Sequence, residues 1–557
     1  MNPIPFLCMA LALSQAVCSA ETIVPGRSVV ATRGGIVASS QPLAAAAAVK
    51  IFDAGGNAVD AAIAANACVG VMEPTGNGIG GDLFALFYEA KSGRIYGLNA
   101  SGWAPAGLTP ALLAEKGITK MPEKGIHAVT VPGVVAGWAA FSERFGTKPL
   151  GEVLQPAIRF AEEGFPVMEI TAKLWHGSEK WLSEIPEAAK TWLVNGHTPA
   201  AGEIFRNPGL AASLRRIAER GRAGFYEGET AAAIVAASQA EGGTMNAADL
   251  SEFRAEWVEP VSIDYRGWKV TEIPPNTQGT AALSMLAIME NFPLKDFGLH
   301  SPDALHAAIE AKKLAYADML AFVGDPRSGR VPVEAMLDKK HAKERAKLVG
   351  AFEAMPKAEP SVFPGLTDSK GHDTIYLCAA DREGNVVSLI QSNYMSFGSG
   401  VVPKGCGFML HNRGALFILD PGKPNTLAPR KRPLHTIIPG MMSKDETVIG
   451  FGIMGGWNQA QAHAQFVSHI VDFGLNIQQA LEAGRFTKTT FDGRDVMLEA
   501  SIPAGTRSAL TIRGHEITVV PPRSSTFGYG QAVMTTPAGV RFGASDPRHD
   551  GAAIPQP

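Results

Sequence analysis

Residues 374–393, TIYLCAADREGNVVSLIQSN, constrain this chain more than any other stretch. Residues 374–380 are rich in Thr, Ile, Tyr and Leu, which suit a pleated, half-buried surface. Asp381-Arg382-Glu383-Gly384-Asn385 is a polar turn ending on Gly and Asn, and residues 386–393 form the return strand. With a five-residue loop, Ala380 lies opposite Val386, and counting outward sets Thr374 opposite Ser392. Opposed residues on one sheet face have Cβ atoms about 4.5–5.5 Å apart. Two hydroxyls therefore come within reach of each other. Alone, a threonine at a strand start is an ordinary structural feature.

The flanking sequence gives the pair a meaning. Gly371-His372-Asp373-Thr374, the hairpin and Gly455-Gly456 are accompanied by ASSQPLAAAAAVKIFDAGGNAVDAAIAA, GNGIGGD, TVPGVVAGW, FGSGVV, KRPLHT, IMGG and GASDPR. Together they resemble the gamma-glutamyltranspeptidase family of N-terminal nucleophile (Ntn) hydrolases, through nearly all of the chain after residue 20. The resemblance implies an α/β (α+β) fold, a four-layer αββα sandwich, made as one precursor that cuts itself just before a threonine. Here the cut falls between Asp373 and Thr374. It leaves a large subunit, 21–373, and a small catalytic subunit, 374–557, interlocked in one fold. By the same resemblance Ser392 orients the nucleophile, and Gly455 and Gly456 supply the oxyanion-binding N–H groups.

The chemistry suits these residues. A threonine hydroxyl is a weak nucleophile and needs a base. Freeing the amide before Thr374 creates an α-amine with a pKa of about 7.7–8.0, which can take the hydroxyl proton near neutrality through a water. One residue then supplies nucleophile and base. No Ser/His/Asp triad is needed, and the sequence holds no GxSxG elbow. Before the cut, the same hydroxyl attacks the Asp373 carbonyl, giving an N→O acyl shift and then hydrolysis. An acyl-transfer intermediate needs aimed N–H donors, and a Gly-Gly pair lets backbone approach closely.

The substrate pocket departs from the family pattern. Ser101 stands where family members place the arginine that grips the γ-glutamyl α-carboxylate, and a hydroxyl does not replace a guanidinium fork. The paired serines correspond to His435 and Thr436. The amine-binding Gln and Asp correspond to Arg413 and Leu416, and the amine-binding Asn to Tyr394, beside Asn393. One arginine and one carboxylate are lost and one arginine is gained. This resembles the acylase or amidase branch, cephalosporin-acylase-like or oxamate-hydrolase-like, acting on a carboxylate-bearing amide. Gamma-glutamyl (glutathione-type) hydrolysis or transfer to an amine stays open, as does an unprocessed exported binding protein. Arg413 reads equally as an acyl-group ligand or a structural ion-pair partner.

A net charge of −3 gives no reason to expect nucleic acid or an anionic membrane as partner. The expected partners are a small amide or peptide substrate and the two subunits of one precursor. Residues 6–17 are apolar and precede Cys18-Ser19-Ala20, so 1–20 reads as a signal peptide and the product as periplasmic or secreted. Cys18 sits in a poor context for lipid attachment, so no stable membrane anchor is expected. Cys68, Cys378 and Cys406 read as small buried residues, with a Cys378–Cys406 bridge allowed but not predicted. No HExxH, CxxC or His cluster indicates a metal, and no cofactor is expected. GNGIGG satisfies GxGxxG but follows a helix and opens a strand, the reverse of a dinucleotide fingerprint, so it reads as a turn.

Helices are predicted at 40–53, capped by Ser40, and at 58–71, 152–163, 208–219, 228–240, 302–322 and 476–484. Strands are expected to dominate after the hairpin. His306, Glu310 and Lys313 share one face of the 302–322 helix and read as a solvated or packing face. Residues 350–372 read as an exposed, cleavable loop ahead of Thr374.

Overall fold

The computed structural model describes residues 26–362 and 375–557. The hairpin forms as Ile375–Ala380 and Val386–Ser392, with Ile375 paired to Gln391 and Ala380 to Val386. This is the predicted register. Thr374 and Asp373 lie outside the described residues.

The hairpin is the centre of a seven-stranded sheet, which runs Ala552–Pro555, Ile36–Ser39, the two hairpin strands, Asp82–Glu89, Arg94–Ala100, Glu256–Val258. A second seven-stranded sheet runs Val30–Thr32, Arg541–Ser545, Gly530–Thr535, Thr447–Ile453, Gly440–Lys444, Trp268–Glu272, Val261–Tyr265. Neighbours in both are antiparallel.

Side-chain alternation assigns the layers. Tyr376, Cys378 and Ala380 face the second sheet and meet Met441, Val448 and Val533, while Leu377 and Ala379 face the opposite way. That opposite face is covered by the Pro42–Asp53 and Ala58–Met72 helices. The outer face of the second sheet carries Val270, Ile449, Phe451 and Ala532 under the Gly279–Met289, Pro302–Phe322 and Asn458–Val471 helices. The result is the expected helix–sheet–sheet–helix sandwich.

Several local expectations are corrected. Gln41, not Ser40, caps the first helix, because Ser40 directly follows the Ile36–Ser39 strand and Pro42 opens the helix. The 152–163 helix is two, Leu150–Val153 and Gln155–Glu163; Pro156 lacks an N–H and suits only a new first turn. Asn458–Val471 and Ala504–Ile512 are helices within the supposedly strand-dominated end. In the first, Ala460, Ala462 and Ala464 imitate a strand's alternation, but the Ala and Gln content favours helix. The Pro302–Phe322 helix has the predicted bounds, yet its His306, Glu310 and Lys313 are buried, a packing face rather than a solvated one. Cys68, Cys378 and Cys406 are buried free thiols, and no Cys378–Cys406 bridge forms. Among the described residues no helix is long and apolar enough to cross a membrane.

Candidate active site

The glycine loop at 76–81 delivers the first acid to the hairpin. A side chain on Gly81 would stand 2.4 Å from the Ser392 carbonyl oxygen, and one on Gly80 2.1 Å from that of Met409. Glycine is thus required at these two positions for close approach rather than for the positive φ expected of a turn, which in this loop only Gly78 adopts. The loop opens the Asp82–Glu89 strand, whose first residue pairs directly with Ser392. Ser392 is fully buried, and its Oγ accepts the Tyr394 N–H at 2.7 Å. Tyr394 has φ +77°, a left-handed conformation costly for a bulky residue and frequent at functional sites.

Asp82 is the hub of a buried polar cluster. Its Oδ1 accepts the Gly102 N–H at 2.8 Å. Its Oδ2 accepts His435 Nε2–H at 2.9 Å, and lies 3.0 Å from His411 Nδ1 and 3.7 Å from Arg413 Nε. Burial would raise the Asp82 pKa, but His411 and His435 outweigh it and hold the carboxyl well below its ordinary range. Burial, helped by the Arg413 charge, pushes His435 down to about 3, so it stands neutral and gives Asp82 a hydrogen bond rather than a charge.

Arg413 stacks over the Tyr394 ring, 4.6 Å from its centroid, and donates through Nη1 to Thr436 Oγ1 at 2.8 Å. His435 and Thr436 are tied to a distant stretch of the same chain: the Gln278 N–H donates to His435 O at 3.1 Å, and Gln278 Nε2 donates both to Thr436 O and, at 2.7 Å, to Gly456 O. Gly455 (φ +127°) and Gly456 (φ +62°) follow the Thr447–Ile453 strand and need glycine's conformational freedom. Neither N–H donates to another described residue.

Asp82, Ser392, Asn393, Tyr394, Arg413, His435 and Thr436 thus gather at the end of the hairpin. Asn393 is held through its N–H to Gly76 O at 2.9 Å. Ser101 is buried, but its hydroxyl is turned onto Asn99 Oδ1 at 2.7 Å. It does not stand in for a guanidinium. Asp82, His411 and Gln278 were missed as site residues. Asp82 ends the quoted GNGIGGD motif, and His411 lies two residues before Arg413. Their spacing along the chain carries no sign that they converge.

One group of potential metal ligands exists among the described residues. His306, Glu310 and His515 bring ligand atoms within 4.8 Å of one another, a convergence across 209 positions that local spacing does not show. Most of its ligand atoms already have partners, His515 Nδ1 excepted. The imidazoles bond to each other at 2.8 Å, and Lys313 Nζ donates to Glu310 at 2.7 Å. An ammonium already occupies the only carboxylate, which opposes a dication.

Two stacked antiparallel sheets between helices, with this cluster at the end of the central hairpin, define an Ntn hydrolase, an enzyme of amide-bond hydrolysis. Comparison with known proteins agrees. The gamma-glutamyltranspeptidase family model matches residues 44–556. The glutathione hydrolase-like YwrD proenzyme of Bacillus subtilis (strain 168) is 37% identical, over 95% of this chain and 99% of its own. The acylase ACY 1 proenzyme of Pseudomonas sp. (strain V22) is 35% identical, over 93% of each. The crystal structure of cephalosporin acylase from Bacillus halodurans superposes with a TM-score of 0.89 at 43% identity, covering 96% of this chain and 98% of that one. This chain belongs to the gamma-glutamyltranspeptidase family.

Proposed function

We propose that the chain is a self-processing threonine amidohydrolase that removes a carboxylate-bearing acyl group from an amide. In this reading the precursor cuts itself between Asp373 and Thr374, leaving 21–373 and 374–557 as interlocked subunits. The Thr374 hydroxyl, served by its own α-amine, attacks the substrate carbonyl, and water resolves the threonyl acyl-enzyme. Gly455 and Gly456 donate to the oxyanion, and Ser392 orients the nucleophile. Arg413, with Thr436, His435, Asn393 and Tyr394 around it, takes the acyl carboxylate. Residues 1–20 direct export.

The observation that supports this reading is the register of the described hairpin, Ile375 opposite Gln391, whose return strand ends at Ser392, itself paired with Asp82 in the cluster that holds Arg413. The acyl group is argued from Ser101, which is turned away onto Asn99, and from Arg413, the buried cation of the cluster. Gamma-glutamyl hydrolysis is the second reading, favoured by the likeness to a protein named glutathione hydrolase-like.

A screen of glutaryl, oxalyl-type, γ-glutamyl and uncharged acyl amides, on wild type and Arg413→Ala, separates the two. A hydrogen bond to a charged group contributes about 1.5–3 kcal/mol, so KM for a carboxylate-bearing acyl group should rise roughly 10- to 150-fold in the variant, with little change for uncharged acyl groups. Efficient γ-glutamyl turnover with a KM unmoved by Arg413→Ala contradicts the assignment.

A further inference from the structure

We propose that one face of the Pro302–Phe322 helix is a clasp that positions the chain for self-cleavage. His306, Glu310, Lys313 and Asp318 lie along this helix, and none is more than 3% exposed. Three of them are charged, and burying charge is costly unless it is matched. Glu310 and Lys313 pair with each other at 2.7 Å, and Asp318 lies 3.3 Å from Arg345 and 3.4 Å from His341; their remaining hydrogen bonds go to residues 350–361, a stretch without helix or strand that ends just before the segment carrying the cut. His306 Nε2–H donates to Gly350 O at 2.6 Å. Glu310 accepts the Met355 N–H at 3.0 Å, and Lys313 donates to Met355 O at 2.7 Å. Asp318 accepts both the N–H and, at 2.8 Å, the hydroxyl of Ser361. Four side chains thus hold the stretch at three points along its length.

The other side of the same stretch is held by residues from beyond the cut. The Ala354 N–H donates to Arg513 O at 2.7 Å, Arg494 Nε to Ala354 O at 3.0 Å, and the Gly493 N–H to Pro356 O at 2.7 Å. Segment 350–361 is therefore strapped between a helix that precedes the cut and backbone that follows it.

Ser361 is the last clasped residue, 14 positions before Ile375, where the central strand begins. Met355 is the next anchor back, 20 positions before it. The conformations open to a tether grow about as the 3/2 power of its length, so loss of the Ser361 anchor lowers the fraction in attack geometry about twofold. The clasp residues are positioning residues: they act on the precursor's cleavage and touch no substrate.

This inference rests on the self-cleavage reading. Its test follows full-length wild type, Asp318→Ala, Ser361→Pro and the double variant by intact mass during cell-free synthesis. kcat/KM is then measured per cleaved molecule. Both single variants should be cut about twofold more slowly, the double variant no more slowly than the slower single, and kcat/KM should match wild type. Cleavage at the wild-type rate, or a parallel fall of cleavage and kcat/KM, overturns the clasp. Should the Asp318 variant fail to fold, Ser361→Pro, which removes both the N–H and the hydroxyl that Asp318 accepts and leaves Asp318 with Arg345, carries the test alone and is held to the same outcomes. An uncut wild type overturns the self-cleavage reading itself, a result distinct from wild-type cleavage with unaffected variants.

Discussion

Asp82 sets the electrical character of the site. Its carboxylate faces Arg413 and hydrogen-bonds His435, all three fully buried, so the guanidinium charge is partly balanced within the protein. Removing one partner of such a cluster leaves the others uncompensated at a cost of about 3–5 kcal/mol. Asp82→Asn should lower unfolding free energy by that order, read from denaturant titration. A loss below about 1 kcal/mol would show that Thr436 and the Tyr394 ring suffice to hold Arg413. At this scale sequence reading went partway. Ser392, His435 and Thr436 were legible because each sits in a recognisable motif, and Arg413 because it takes the place of a family substrate-binding residue. Asp82, although it ends the GNGIGGD motif, and Gln278 were not: each acts through a partner more than 150 positions away, which no local pattern signals.

The two sheets meet where Gly452, in the Thr447–Ile453 strand, faces Tyr376 in the central hairpin. A Cβ at Gly452 would lie 2.4 Å from the Tyr376 ring, whose hydroxyl is fixed to Ser388 Oγ at 2.8 Å. The ring has nowhere to turn. Overpacking of this kind costs about 1–3 kcal/mol, so Gly452→Ala should destabilise by that amount and displace the strand that follows Thr374. A melt within error of wild type would mean that the sheets separate freely. The register of the hairpin from Ile375 to Gln391 was legible because one loop length fixes every pair along both strands, while the expected Thr374–Ser392 pair lies outside the described residues. The Asn458–Val471 helix was not, because regularly spaced alanines satisfy both periods and only burial against the second sheet decides between them.

Three buried histidines tie the stability of the whole molecule to pH. Burial is the main cause that pushes His435, His469 and His515 each down to about 3, with Arg413, His300 and His306 respectively adding to it. The unfolded chain binds these protons near pH 6.5, while the folded chain does so only near pH 3. Between those values the unfolded state holds more protons, so stability falls as pH falls. Denaturant titrations from pH 7 to pH 4 should show this decline, and His469→Gln should make it shallower by about one proton. A pH-independent stability over that window would contradict the burial assigned to these rings. The layer order of the molecule was legible through the family resemblance, whereas composition supported only mixed α/β.

The central claim is that Thr374 becomes an N-terminal nucleophile, and intact mass spectrometry of purified wild type and Thr374→Ala tests it most directly. Wild type should give two chains, the smaller beginning at Thr374, and the variant a single uncut chain. A folded wild-type protein that stays in one piece, or a Thr374→Ala variant cut at the same bond, would contradict it.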